Sequence, residues 1–328
     1  MGNTKFAVAK ICPSAYAFGA MTVPEDQNQT TNFQAILNTV APGATFVALR
    51  PLEGDFSNTT QLIEATAADG APLRLVSRRY AIFGDYDRGE KARREFQTLQ
   101  LLSRHNVPAP EPIFLDDTGA TLGSPGIVTG FVPGKLLLDP PYPADRPERL
   151  AQTLAAIHRI PIGPSAAFLL DANREVTWFL NKPDLMPEYI SVHPLGPAIW
   201  DATRNYWSTM TPAAPGLVHI DYWGGNVLWH EGAIAAVVDW EEAAQGDPGI
   251  DVAYCRLDMV LCGLPDQAER FLASYEAATG EPARHLAFWE LVAAVRPLFN
   301  PEGWISDSPQ KERFVAFVES ALARLSDA

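Results

Sequence analysis

The sequence predicts an α+β fold in two lobes: a small first lobe built on an antiparallel sheet, residues 1–130, and a larger, mainly helical second lobe, residues 131–328. Three observations predict it. Short runs rich in apolar and β-branched residues, punctuated by turn residues, are concentrated before residue 135, whereas the last third repeats apolar residues at helical spacing. A proline-rich stretch, FVPGKLLLDPPYPADRPER, stands between the two textures as a connection. All eight Trp residues lie at or after Trp178, so the second lobe is the aromatic-rich one.

The elements follow in order. Phe33, Ile36, Leu37 and Val40 fall at helical spacing, and Pro42 and Gly43 stop that helix. ATFVALRPL, NTTQLIEATA and APLRLVSRRY read as strands, with Asp69–Gly70 as the hairpin signal between the second and third. EKARREFQTLQLLS puts Ala92, Phe96, Leu99 and Leu102 on one face of an amphipathic helix. Two further strands are expected at EPIFLD and GIVTGFV. Beyond the connection, RLAQTLAAIHRI, IDVAYCRLDMVL, QAERFLASYEAAT, RHLAFWELVAAV and KERFVAFVESALARL read as helices. No repeat or low-complexity tract is visible.

Composition narrows the class of function. At 328 residues and 47% hydrophobic content the chain can bury a sizeable core. A net charge of −14 argues against a nucleic-acid partner, which needs clustered Lys and Arg. Cysteines at 12, 255 and 262 are too few and too irregular for a disulfide frame or a zinc site and read as reduced thiols of a cytoplasmic protein. Lys5, Lys10 and Pro13 interrupt the mildly apolar start, so a signal peptide is not expected. The chain has no apolar run of bilayer-spanning length, so no membrane partner is expected.

The chemistry is concentrated in VHIDYWGGNVLW, residues 218–229, where a polar loop with paired glycines interrupts two apolar runs. NVLWHEGAIAAVVDW continues it, with His230-Glu231-Gly232 as a hairpin turn. A turn centred between Gly232 and Ala233 places Asn226 opposite Asp239 at the open end of the hairpin, with Asp221 on the loop just before it. Two carboxylates and a carboxamide at one hairpin mouth suit a hard cation such as Mg²⁺ together with a phosphate, and one of the carboxylates can take a proton from an attacking hydroxyl.

HIDYWGGN resembles the HGD-x4-N loop of the aminoglycoside phosphotransferase and choline kinase family. VVDWEEAAQGDPGIDVA resembles the segment of that family that carries its metal-binding Asp and a downstream helix start. The resemblance runs over nearly the whole chain. It implies a protein-kinase-like fold and transfer of the ATP γ-phosphate to a small-molecule hydroxyl with Mg²⁺. It further implies that Asp221 is the catalytic base or hydroxyl-orienting group, that Asn226 and Asp239 hold the metal, and that Asp251 anchors the loop. Gly54 and Ser57 in LEGDFSN resemble the phosphate-covering turn. Arg78 takes the place of the strand lysine on the α- and β-phosphates, and Glu95 pairs with it. The backbone of Gly130 and Val132 takes the place of the adenine hinge.

The chain departs from the family pattern at three points. Ile220 stands where the family usually has Gly, the phosphate-covering turn has one glycine, and Arg replaces Lys, with Arg79 adjacent so that the register is open by one. The alternative function is a nucleotide-binding pseudokinase with a regulatory role, although Asp221, Asn226 and Asp239 are all intact. A protein kinase is disfavoured because no APE-like segment follows Asp239. An aminoglycoside, choline or another amino alcohol, homoserine, a sugar and a macrolide all stay open as acceptors, with a cationic or neutral one expected. Glu241, Glu242 and Asp258 read either as a grip for a cation or as a solvated acidic face. Trp223 and Trp240 read either as lobe packing or as a stacking surface.

Overall fold

The computed structural model describes residues 29–52, 58–81, 87–182 and 184–327. The amino-terminal stretch with Cys12, and the turn with Gly54 and Ser57, lie outside the described residues. The first part of the chain is helix α1 (Gln29–Val40), strands β1 (Thr45–Pro51), β2 (Thr59–Thr66) and β3 (Pro72–Arg79), helix α2 (Arg88–Ser103), and strands β4 (Pro112–Asp116) and β5 (Gly126–Gly130). The strands form one antiparallel sheet in the order β1-β2-β3-β5-β4. The turn at Asp69–Gly70 joins β2 to β3 as its residue types predict: Gly70 has φ +87°, and the Ala67 N–H donates to the Ala71 carbonyl at 2.8 Å.

Helix α1 buries Phe33, Ile36 and Leu37 against Ile63, Ala65, Leu75 and Val128 of the sheet. At roughly 1.5–3 kcal/mol for each fully buried large apolar side chain, this one-sided burial holds the helix far more than its propensity does. Asp87 caps α2 by accepting from the N–H groups of Gly89 and Glu90 at 2.8 and 3.3 Å. The capped helix buries Ala92, Leu99 and Leu102 together with the polar Arg94, Glu95 and Thr98, so a carboxylate lies on its inner side.

The second part begins with strand β6 (Lys135–Leu136) and helix α3 (Arg146–His158). Strand β7 (Leu170–Asp171) and helices α4 (Ala172–Val176), α5 (Glu188–Ser191) and α6 (Gly196–Trp207) come next. Strands β8 (Gly216–Val218), β9 (Val227–His230), β10 (Ala233–Val237) and β11 (Ala244–Gly246) follow. Helices α7 (Gly249–Leu261), α8 (Pro265–Thr279), α9 (Leu286–Phe299), α10 (Pro301–Trp304) and α11 (Ser308–Ser326) complete the chain. Helices α6, α7, α9 and α11 enclose one core around Trp289, Trp304, Phe288 and Phe314. A second core carries Tyr80 and Leu99 from the sheet side together with Leu150, Leu154, Trp240 and Phe271, and so welds α2 to α3 and α8. No helix of the described residues is long and apolar enough to cross a membrane.

Candidate active site

The loop after β8 is fixed from behind. Val218 pairs with Ala244 of β11, which aims the next residues out of the end of that small sheet. Asp251, fully buried on α7, accepts from the backbone N–H of His219 and of Ile220, both at 2.7 Å. His158 Nε2 lies 3.1 Å from the same carboxylate, and the Tyr275 hydroxyl is 2.7 Å from His158 Nδ1. A buried carboxylate is tolerated here because every bond it makes is to an N–H donor. His219 donates from Nε2 to the Val238 carbonyl at 2.9 Å and packs on the Trp240 ring with centroids 4.4 Å apart. That is a structural station for His219.

Asp221 follows on the same loop. Asn226 donates its amide hydrogens to the Asp221 carboxylate and to the Asp221 carbonyl, both at 2.8 Å. The glycines between them have a steric reason. A Cβ on Gly224 would sit 2.2 Å from the Arg146 guanidinium, and one on Gly225 would sit 2.1 Å from the Trp223 ring. The loop therefore folds tightly over two large side chains.

The hairpin register differs from the sequence expectation. The turn is the two-residue Glu231–Gly232, with φ +49° and +79°, so His230 faces Ala233 and Trp229 faces Ile234. A bulge between Ile234 and Ala236 then shifts the pairing by one, so that Leu228 faces Ala236 and Val227 faces Val237. The Val238 N–H reaches the Asn226 carbonyl at 2.9 Å. Asn226 is thus opposite Val238, not Asp239. Asp239 is one residue further, at φ +68°, a conformation that turns it out of the strand direction.

Strand alternation separates the two adjacent arginines of β3. Arg79 lies on the sheet's other side, on Gln61 Oε1 at 2.7 Å and the Leu122 carbonyl at 3.4 Å. Arg78 points into the cleft and meets three carboxylates: Glu95 at 3.1 Å, Asp239 at 2.5 Å and Glu241 at 3.3 Å. Glu95 also accepts from the Tyr80 hydroxyl and from the Trp240 N–H, the latter at 3.3 Å. Burial pushes the Tyr80 hydroxyl well above its usual range, and the charge of Glu95 beside it adds to this. Glu241 is itself buried and accepts from Lys91 at 3.2 Å and Asn58 at 2.8 Å, while Arg94 donates to its backbone carbonyl at 2.8 Å. Glu241 therefore ties β3 and α2 to the segment after the hairpin, and neither of the two sequence readings for it describes this.

The opposite flank carries a residue that spacing did not single out. Arg296 of α9 lies 3.4 Å from the Asp221 carboxylate, donates to the Ile220 carbonyl at 3.2 Å and stacks its guanidinium 4.2 Å from the Tyr254 ring centre. Its only signal in the sequence is a cation set in an apolar helical run, AAVRPLF. Burial pushes the Glu242 carboxyl up, opposed by Arg296 and helped by the charge of Asp221. Asp258 is buried rather than solvated, and burial raises its carboxyl to about 7 against the opposing pull of Arg146. Trp240 is fully buried and donates to the Val237 carbonyl at 2.9 Å, so it is packing.

At the end of β5 the Gly130 N–H donates to the Glu111 carbonyl at 2.9 Å, and the Phe131 N–H to the Arg74 carbonyl at 3.3 Å. Val132 follows outside the strands and precedes Pro133. Among the described residues no cluster of three or more His, Cys, Asp or Glu could hold a metal alone. The donor set fits a cation that takes most ligands from phosphate and water, as Mg²⁺ does. Asn226 spends its amide hydrogens on Asp221, which leaves its amide oxygen, and Asp239 is a third exposed at the cleft.

Comparison with known proteins agrees with this architecture. The chain is 26% identical over 269 residues to the Arabidopsis thaliana protein named probable acyl-CoA dehydrogenase IBR3, covering 69% of this chain and 32% of that one. The chain spans about a third or less of the length of the curated relatives it matches. Among solved structures, a Ralstonia eutropha protein with a provisional aminoglycoside phosphotransferase assignment superposes with a TM-score of 0.63 at 19% identity, over 91% of this chain and 98% of that one. The GDP complex of aminoglycoside 2'-phosphotransferase-IIIa superposes with a TM-score of 0.58 at 18% identity, over 91% and 99%. These likenesses establish the protein-kinase-like fold. The sequence profile of the phosphotransferase enzyme family matches residues 48–288, nearly three-quarters of the chain, and the protein belongs to that family.

Proposed function

We propose that the protein is a small-molecule kinase that transfers the γ-phosphoryl group of ATP to an acceptor hydroxyl with Mg²⁺. The observation that carries the reading is the convergence at one cleft of the Asp221–Asn226 pair and the Arg78 junction with Glu95 and Asp239. The nucleotide complex of a structural relative supports a nucleotide in that cleft.

In this reading Asn226 and Asp239 hold Mg²⁺, which when bound neutralises the charge on the β- and γ-phosphates. Arg78, oriented by Glu95, grips the phosphates. The Gly130 carbonyl and the Val132 N–H hold adenine, and Gly54 and Ser57 cover the phosphates. Asp221 accepts the proton of the acceptor hydroxyl as its oxygen bonds to the γ-phosphorus and the bond from that phosphorus to the departing ADP oxygen breaks. Positioning and charge neutralisation supply most of the acceleration.

The structure removes two supports for a cationic acceptor. Glu241 is committed to Arg78, Lys91 and Asn58, and Asp258 is buried beside Arg146. The acceptor is therefore best sought without a charge filter. ADP formation from ATP and Mg²⁺ is measured against amino alcohols, sugars, hydroxy acids and macrolides. One compound with a phosphorylated hydroxyl product is expected. In parallel, calorimetric titration of ATP into Asp239→Ala with and without Mg²⁺ is expected to show the metal dependence of affinity abolished. Unchanged metal dependence makes Asp239 a structural hairpin residue and removes the metal site from the reading.

A further inference from the structure

We infer that Arg296 is a positioning residue that holds Asp221 in place by clamping a strained peptide, an inference that rests on the reading of Asp221 as the hydroxyl-orienting group. Ile220 has φ +70°. A β-branched side chain in the left-handed region is a genuine outlier, because its Cβ crowds the backbone there, and such a conformation persists only where its surroundings over-determine it. Glycine takes that conformation without strain.

The surroundings supply two clamps, one on each side of Ile220. On the amide side, Asp251 accepts from the Ile220 N–H at 2.7 Å. On the carbonyl side, Arg296 donates to the Ile220 oxygen at 3.2 Å and reaches the Asp221 carboxylate with its other terminal nitrogen at 3.4 Å. The guanidinium is a planar fork, and its stacking 4.2 Å from the Tyr254 ring centre fixes the plane in which both arms lie. The Ile220 side chain is buried in the core formed by α6, α7, α9 and α11, so it can neither swing out nor relax the turn. One residue thus holds both the strained carbonyl and the carboxylate immediately after it. Lysine has three donors but all on one nitrogen and no planar fork to stack on Tyr254, so it holds the pair in a less defined geometry.

The test uses Arg296→Ala, Arg296→Lys and the double variant Arg296→Ala with Ile220→Gly. Calorimetric ADP binding serves as the folded-state control. A crystal structure of Arg296→Ala is expected to show Ile220 out of the left-handed region and the Asp221–Asn226 contact opened. Phosphate release from ATP and Mg²⁺, with water as the acceptor, is expected to fall at least ten-fold in Arg296→Ala and by less in Arg296→Lys, with ADP affinity within two-fold of the parent. Glycine at 220 removes the need for the clamp, so the double variant is expected to recover most of that loss. Arg296→Ala with Ile220 still near +70° and Asp221 unmoved overturns the inference, and so does a loss that the double variant fails to recover. Should Arg296→Ala not fold, the Arg296→Lys structure decides on the same two criteria. Full phosphate release by Asp221→Asn defeats the role given to Asp221, whereas the crystallographic arm reads the loop alone.

Discussion

The two flanks of the cleft each present an arginine, and they use it differently. On the β3–α2 flank, Arg78 is 11% exposed at its side chain and meets three carboxylates. On the α9 flank, Arg296 is 27% exposed, meets the Asp221 carboxylate at a longer distance and spends its second arm on a backbone carbonyl. The first is a junction that joins β3, α2 and the segment after the hairpin, so charge there is architecture. The second grips the loop that carries Asp221 from a stack on Tyr254 of α7, so charge there adjusts a geometry. The contrast teaches that a cation beside a reactive carboxylate says little by itself. What else the cation holds decides whether losing it unfolds the cleft or detunes it.

The largest expected effect tests the chemistry that both flanks serve. Asp221→Asn is expected to lower turnover by about 10²–10⁴-fold, the usual contribution of a proton-accepting group, with ADP affinity nearly unchanged. Near-parental turnover on the acceptor found by screening would falsify the role of Asp221 and leave the two arginines as structural residues alone.

The next effect sharpens the comparison directly. Arg78→Met keeps the apolar stem and deletes the charge, leaving Glu95 and Glu241 buried with fewer partners. Breaking a buried ion pair from one side costs about 3–5 kcal/mol. The same change at Arg296 is expected to cost about 1 kcal/mol or less, in the range of a partly exposed pair, because release of the Ile220 conformation offsets part of the loss. Urea denaturation midpoints of the two variants give the answer. Equal losses would erase the distinction between the flanks.

The sequence made the fold legible because its signals are local. Asp69–Gly70 marks a turn, Ala92, Leu99 and Leu102 mark a buried helix face, and apolar spacing marks each late helix. The hairpin register was not legible. Centring the turn one residue late, between Gly232 and Ala233 instead of Glu231 and Gly232, displaces the pairing by two, and the bulge between Ile234 and Ala236, unmarked in the apolar run IAAVV, gives one back, so Asn226 was misplaced by one. The candidate site was legible where its members fall within one loop and one hairpin. Arg296 was not, because it stands 75 residues from Asp221 on a helix whose periodicity reads simply as core. The meaning of Glu241 was hidden for the same reason: its partners Arg78, Lys91 and Asn58 lie more than a hundred residues upstream. Acidic residues in sequence look alike, and only packing separates a bridging carboxylate from a solvated one.

Asp258 extends the comparison to a carboxylate that neither flank neutralises in full. Glu95 and Glu241 each face at least one cation at hydrogen-bonding distance, whereas Asp258 is buried beside Arg146 with the Cys262 thiol at 3.9 Å and the charge of Asp221 nearby. Its carboxyl ionises near 3.8 in the unfolded chain and at about 7 in the folded one. Between these values the folded protein holds the extra proton, so this residue makes stability fall as pH rises from about 4 to about 7, and the loss is complete above that. A shift of this size corresponds to about 4 kcal/mol. Asp258→Asn is neutral at every pH and has a similar shape. Its stability, measured by urea midpoint from pH 4 to pH 8, is expected to match the parent near pH 4 and to exceed it increasingly up to pH 7–8. Taking the difference between the two proteins cancels every other titrating group. If the two profiles run parallel across that window, Asp258 is ionised throughout. Arg146 then pairs it as completely as Arg78 pairs Glu95, and the underpaired carboxylate that sets this side of the cleft apart does not exist.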